Sequence, residues 1–109
     1  MKVITCLLLG AAVLALAACG PVKPMTSSEF RGFCYQTGDN RFQGCDTISV
    51  CDEYAPAVDR QHQSLSACLG ECASIREQQR RRIGLGECAT ASGNAGDWCE
   101  RYCRTNYPQ

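Results

Sequence analysis

The sequence predicts a small, mostly α, disulfide-rich domain: a stapled helical hairpin that carries a short N-terminal β-hairpin. Ten cysteines stand in 109 residues. From Cys19 onward only twelve residues are Leu, Ile, Val or Phe, too few for a conventional apolar core, so cross-links must supply what burial cannot. Two Cys-x-x-x-Cys pairs, "CLGEC" and "CERYC", lie in segments that read as helical, and residues four apart on a helix share a face.

Met1-Lys2 supplies one positive charge, and Val3 to Ala18 follows without a charged residue. That run is short for a membrane span and suits the apolar region of a secretory signal peptide. The stretch Leu16-Ala17-Ala18-Cys19 resembles the lipobox of bacterial lipoproteins. The resemblance implies that the Cys19 thiol receives a diacylglycerol, that a dedicated peptidase cuts between Ala18 and Cys19, and that the mature chain begins at an acylated Cys19. Two or three palmitate-class chains anchor a protein stably in a lipid bilayer, whereas one does so only marginally. Gly20, where an Asp would retain the protein at the inner membrane, implies an outer-membrane lipoprotein facing the periplasm in a two-membrane bacterium. In any other cell the expected place is the outer face of the plasma membrane. An ordinary signal-peptidase cut after Ala15-Leu16-Ala17 is the alternative.

Residues 1–18 are therefore expected to be a signal peptide, 19–29 a lipidated tether and 30–109 a cysteine-rich helical domain. Processing removes Cys6 and commits Cys19 to lipid. Eight cysteines remain: Cys34, Cys45, Cys51, Cys68, Cys72, Cys88, Cys99 and Cys103. An exported chain meets an oxidising compartment, so four disulfides are expected. "GPVKPMTSSE", Gly20 to Glu29, reads as a flexible tether of up to about 35 Å, long enough to hold the domain off the lipid headgroups.

In "FRGFCYQTGDNRFQGC", Phe30 to Cys45, the Gly38-Asp39-Asn40 turn signal sits between aromatic segments. A two-residue loop at Asp39-Asn40 places Cys34 opposite Cys45, which suits a local disulfide. Phe33, Tyr35 and Phe42 then pack the hairpin onto the helices. Asp46 to Ala55 reads as either a short helix or a turn. Val58, His62, Leu65, Cys68, Leu69, Cys72 and Ile75 recur at intervals of three and four, which predicts one amphipathic helix over Pro56 to Arg82 with Gly84 at its end. Asp97 is placed to cap a final helix through "WCERYCRTN".

If the two helices are antiparallel, Cys68 meets Cys103 and Cys72 meets Cys99. From Cys72 the first helix climbs about 16 Å to Ile83, and the following segment is long enough to return. Cys51 is then left with Cys88, at opposite ends of a straight helix about 40 Å long. Either that helix is broken or begins later, or the pairing differs, as in the nested set Cys51–Cys103, Cys68–Cys99 and Cys72–Cys88.

The mature chain carries ten basic and eleven acidic side chains, a balance that with export argues against nucleic acid as a partner. His62 is the only histidine and reads as a packed residue rather than a base or ligand. The acidic residues form no paired set, so no enzyme activity, cofactor or metal is expected. Arg76, Arg80, Arg81 and Arg82 complement the dipole at a helix C-terminus, and Glu77 lies one turn before Arg81. They are also the candidate contact for an anionic polymer, lipid headgroups or an envelope protein. The expected role is that of a non-enzymatic cell-envelope lipoprotein, a structural or interaction component. Its alternatives are a small-ligand or metal-binding envelope module and a thiol-redox protein using the Cys-x-x-x-Cys pairs.

Overall fold

Five helices follow one another along residues 22–36, 44–83, 86 and 88–108, the part of the chain that the computed structural model describes. They are α1 (Ser27–Gln36), α2 (Thr47–Asp52), α3 (Ala55–Val58), α4 (Leu65–Ile83) and α5 (Ala89–Asn106). The expected signal peptide, Leu16-Ala17-Ala18-Cys19, the expected turn at Gly38-Asp39-Asn40, Phe42 and Gly84 lie outside the described residues. None of the described helices is long and apolar enough to cross a membrane.

The predicted β-hairpin is replaced by α1, and no strand occurs among the described residues. The cause is a capping box: Glu29 N–H donates to Thr26 Oγ1, and Thr26 N–H donates back to the Glu29 carboxylate, which satisfies two of the donors a helix start leaves open. Met25 and Phe30 flank this cap at the positions of a hydrophobic staple, and both are buried. Phe30, Phe33 and Cys34 fall at helical spacing, so a helix buries Phe30 and Cys34 on one side. In α2, Asp46 caps through its carboxylate, which accepts from Ser49 N–H and Ser49 Oγ.

The helix expected over Pro56 to Arg82 is two helices. Pro56 starts α3 near its first position, where a missing N–H costs nothing. The chain then bends over residues 59–64 before α4. Three contacts hold that bend: Asp59 takes a bidentate pair from Arg31, at 2.9 and 2.6 Å, His62 N–H donates to Tyr107 Oη, and Ser64 Oγ caps α4 by accepting from Ala67 N–H. His62 thus belongs to the bend and not to the helical stripe.

Helices α4 and α5 form the antiparallel hairpin. Cys68–Cys103 and Cys72–Cys99 are both bonded, with Cα separations of 5.6 and 5.8 Å. The same register carries on to Gln79 and Ser92, whose side chains meet through an Oγ–H donated to Oε1 at 2.7 Å. Helix α5 begins well before Asp97, at Ala89. Its first half, "ATASGNAGD", has poor intrinsic helix propensity, but Ala91, Ser92, Ala95 and Gly96 are buried, and Ser92 and Gly96 meet Gln79 and Arg76 of α4.

The other two pairings differ from the sequence expectation. Cys34 bonds Cys51, fastening α1 to α2, and Cys45 bonds Cys88, fastening the segment before α2 to the start of α5. Neither Cys34–Cys45, nor Cys51–Cys88, nor the nested set is formed. The reason is local: with Cys34 on the buried side of α1, its nearest partner is the buried Cys51 of the helix packed beside it.

The segment expected to be free tether is also partly folded. Met25 N–H donates to Thr105 Oγ1 and Met25 O accepts from Asn106 Nδ2, so the domain begins by Met25 rather than at Phe30. The core it joins is largely cystine. Cys34, Cys51, Cys68, Cys72, Cys99 and Cys103 are all essentially inaccessible, beside Phe30, Tyr54 and Gln79.

Digestion with trypsin and cleavage before aspartate should release Cys34, Cys45 and Cys51 on separate peptides, linked as Cys34–Cys51 and Cys45–Cys88 under non-reducing mass spectrometry. Replacing Cys34 and Cys51 together by Ser opens a bond spanning 17 residues and should cost about 3 kcal/mol in denaturant unfolding.

Candidate interaction face

The four arginines singled out from the sequence do not form one free cationic patch. Arg76 turns toward α5, where it pairs with Asp97 at 2.7 Å and Glu100 at 3.4 Å and donates to Gly93 O at 3.2 Å. Gly96 makes room for it, since a Cβ there would lie 2.2 Å from Arg76 Nε. Arg80 and Arg81 share Glu77. Those two guanidiniums hold the Glu77 carboxyl down at about 2. Arg82 pairs with Glu53. Each arginine therefore has a carboxylate, although the pairs of Arg80, Arg81 and Arg82 are exposed and individually weak.

Gln79 was not legible as a site residue, yet it is wholly buried. Its amide donates to Val50 O and the Glu53 carboxylate while its oxygen accepts from Ser92. The available signal was its position: Cys68, Cys72, Ile75 and Gln79 lie on one stripe, and a polar residue on a buried stripe must find partners. Tyr54 is also buried, and its hydroxyl has no hydrogen-bond partner among the described residues. Burial pushes that phenol up to about 12, against the opposing influence of Arg76.

His62 and the cysteines are likewise committed. The His62 ring bonds Ala57 O through Nε2 at 2.7 Å and meets Tyr107 edge-on. The sulfurs of Cys68, Cys72 and Cys103 lie within 4.8 Å of one another, a spacing set by two adjacent disulfides. As cystine they offer no thiolate to a metal.

One surface combines exposure with unusual composition. The Phe33 and Trp98 rings stack at 4.6 Å and an interplanar angle of 9°, and the Arg101 guanidinium lies 5.2 Å from the Trp98 centroid, within cation–π range. Val22, Lys23 and Pro24 run beside them and complete an open groove of about 430 Å³. Val22 is 72% and Phe33 42% exposed. In a chain so poor in apolar side chains, an aromatic and aliphatic surface left outside is the most distinctive feature for recognition. The sequence reading placed Phe33 on the hairpin and Trp98 on its helix. It did not bring them together, because that contact depends on α1 being helical.

Comparison with family models, curated proteins and solved structures finds no match to this chain. The functional reading therefore rests on residues and geometry.

Two predictions test this electrostatic description. Gly96→Ala should displace the Arg76 guanidinium and destabilise the protein, whereas the same change in an Arg76→Ala background should stabilise it by up to about 1 kcal/mol through helix propensity. Denaturant titrations of the four proteins read this reversal of sign. The pH profile should be flat near neutrality and fall on both sides. Glu77 and Asp59 have depressed folded values through their arginine partners, so their contributions are lost as pH falls from the ordinary carboxylate range toward about 2. Tyr54 is raised, so its contribution is present below the ordinary tyrosine value of about 10 and is lost as pH climbs toward about 12. The acid limb should be the shallower, because its pairs are partly exposed; thermal unfolding across pH measures both.

Proposed function

We propose that this chain is a non-enzymatic lipoprotein of the cell envelope, anchored by acyl chains on Cys19 and acting as a structural or interaction component. The observation that carries the reading is the cysteine arithmetic. Processing at Ala18–Cys19 leaves eight cysteines, and all eight are joined as four disulfides. Complete pairing of this kind is stable in an oxidising, extracytoplasmic compartment. A cystine core also explains how a chain with few large apolar residues holds a fold. Its polar side chains are engaged in holding helices together: Arg31 with Asp59, Arg76 with Asp97, and Gln79 with Ser92. In a two-membrane bacterium the anchor is in the outer membrane, in keeping with Gly20.

The test is expression of the full precursor in a bacterial host beside a Cys19→Ala variant. The wild-type protein should fractionate with membranes, carry no free thiol before reduction and yield an N-terminal peptide that begins at acylated Cys19. The variant should lose the acyl mass and its processing at Cys19. A soluble protein cut after Ala17, with an unmodified Cys19, would overturn the reading.

A further inference from the structure

We infer that the folded domain itself lies on the bilayer, with Val22, Lys23, Pro24, Phe33, Trp98 and Arg101 seated at the headgroup level. This rests on the lipoprotein reading and goes beyond it, because a lipid anchor alone leaves open whether the domain touches the membrane.

Chain length supplies the first argument. Met25 is held by Thr105 and Asn106, and Lys23 pairs with Glu29 at 3.5 Å, so Val22 already runs along the domain. Between an acylated Cys19 and Val22 there are three residue steps, at most about 10 Å of chain. The acyl chains of Cys19 end at the hydrocarbon boundary, and the headgroup zone above it is about 5–8 Å thick. Most of the link is used up in crossing that zone. The surface around Val22 therefore cannot be lifted more than a few ångströms from the headgroups.

Composition supplies the second. The surface around Val22 holds a tryptophan, a phenylalanine and two cations, Arg101 and a Lys23 that pairs with the neighbouring Glu29. Tryptophan concentrates at membrane interfaces, where its body is apolar and its N–H wet. Arg and Lys lay their stems along apolar surface and put their charge among phosphates. Arg101 on the Trp98 face and Lys23 beside Val22 have that arrangement. The exposed arginines of α4, by contrast, pair with the carboxylates of Glu77 and Glu53.

Trp98 is the only tryptophan in the chain, so its fluorescence reports this face alone. The mature acylated protein, reconstituted into phosphatidylethanolamine–phosphatidylglycerol vesicles, should show quenching of Trp98 by lipids brominated near the headgroup end of their chains. Its acrylamide quenching should fall about threefold below that of the non-acylated domain in solution. Val22→Glu with Phe33→Glu, checked for retained helical circular dichroism, should lose the bromolipid quenching. Lys23→Glu with Arg101→Glu, which also removes the Lys23–Glu29 pair and the Arg101–Trp98 contact and is therefore compared with its own vesicle-free spectrum, should weaken it more on these vesicles than on zwitterionic ones. Protein that floats with vesicles while Trp98 stays as open to acrylamide as in solution overturns the inference and leaves the anchor intact. Trp98 already shielded in the vesicle-free domain, with a dimer seen by sedimentation, assigns the face to a second copy and also overturns it. Absence of acyl mass on Cys19, or failure to float, overturns the lipoprotein reading and the inference together.

Discussion

Two cystines, Cys68–Cys103 and Cys72–Cys99, cross between α4 and α5 one helical turn apart, and this leaves the pair a single antiparallel register. A lone cross-link would let the helices pivot. Two of them on adjacent turns fix both offset and rotation, and their sulfurs pack against each other, with Cys72 Sγ 3.4 Å from Cys103 Sγ. The remaining contacts of the hairpin follow from that offset. Gln79 comes opposite Ser92, Arg76 comes over the gap left by Gly96, and a glycine-rich stretch that would not hold a helix alone becomes the first half of α5.

The second pair of cystines solves a different problem. Helices α1, α2 and α3 are short, and isolated helices of such length are unstable in water. Cys34–Cys51 joins two of them, and Cys45–Cys88 ties the segment before α2 to the start of α5. Phe30 and Tyr54 then fill the space between, with ring centroids 6.3 Å apart. Because the cross-links act chiefly on the unfolded chain, a modest core suffices. That leaves apolar groups such as Val22 and Phe33 partly outside the core, Phe33 stacked on Trp98 at the surface.

The hairpin was legible in the sequence because two Cys-x-x-x-Cys pairs on helical segments admit few pairings, and the antiparallel one is the simplest. The N-terminal part was misread because aromatic residues around Gly38-Asp39-Asn40 satisfy a strand pattern as well as a helical one. The deciding signal, Thr26 and Glu29 at capping-box spacing, sat in a stretch set aside as tether. The break between α3 and α4 was legible only as one way to relieve the strained Cys51–Cys88 span, against a stripe that runs through His62. It is enforced by Arg31 and Tyr107, which lie far away in sequence and meet the bend only in the folded chain. The basic run Arg80-Arg81-Arg82 looked like a site for the same reason in reverse: one of its neutralising carboxylates, Glu53, is 29 residues away.

The packing of Met25 bears on how the domain would relate to the proposed anchor at Cys19. Met25 is clamped to the last turn of α5 by Thr105 and Asn106, and Cys103 in that same turn is bonded to Cys68. The path from Met25 to the cystine ladder is therefore short, two hydrogen bonds to the last turn of α5 and one disulfide. Arg80, Arg81 and Arg82 lie near the opposite end of the hairpin, about 25 Å along α5 from Asn106. In the arrangement we propose, a link of about 10 Å from an acylated Cys19 would bring the surface around Val22 to the headgroups and leave the distance of that basic end to be set by the tilt of the domain. Tilt in turn is fixed by what Phe33, Trp98 and Arg101 rest on. On that proposal, the face beside Cys19 would govern which other surfaces remain open to a partner.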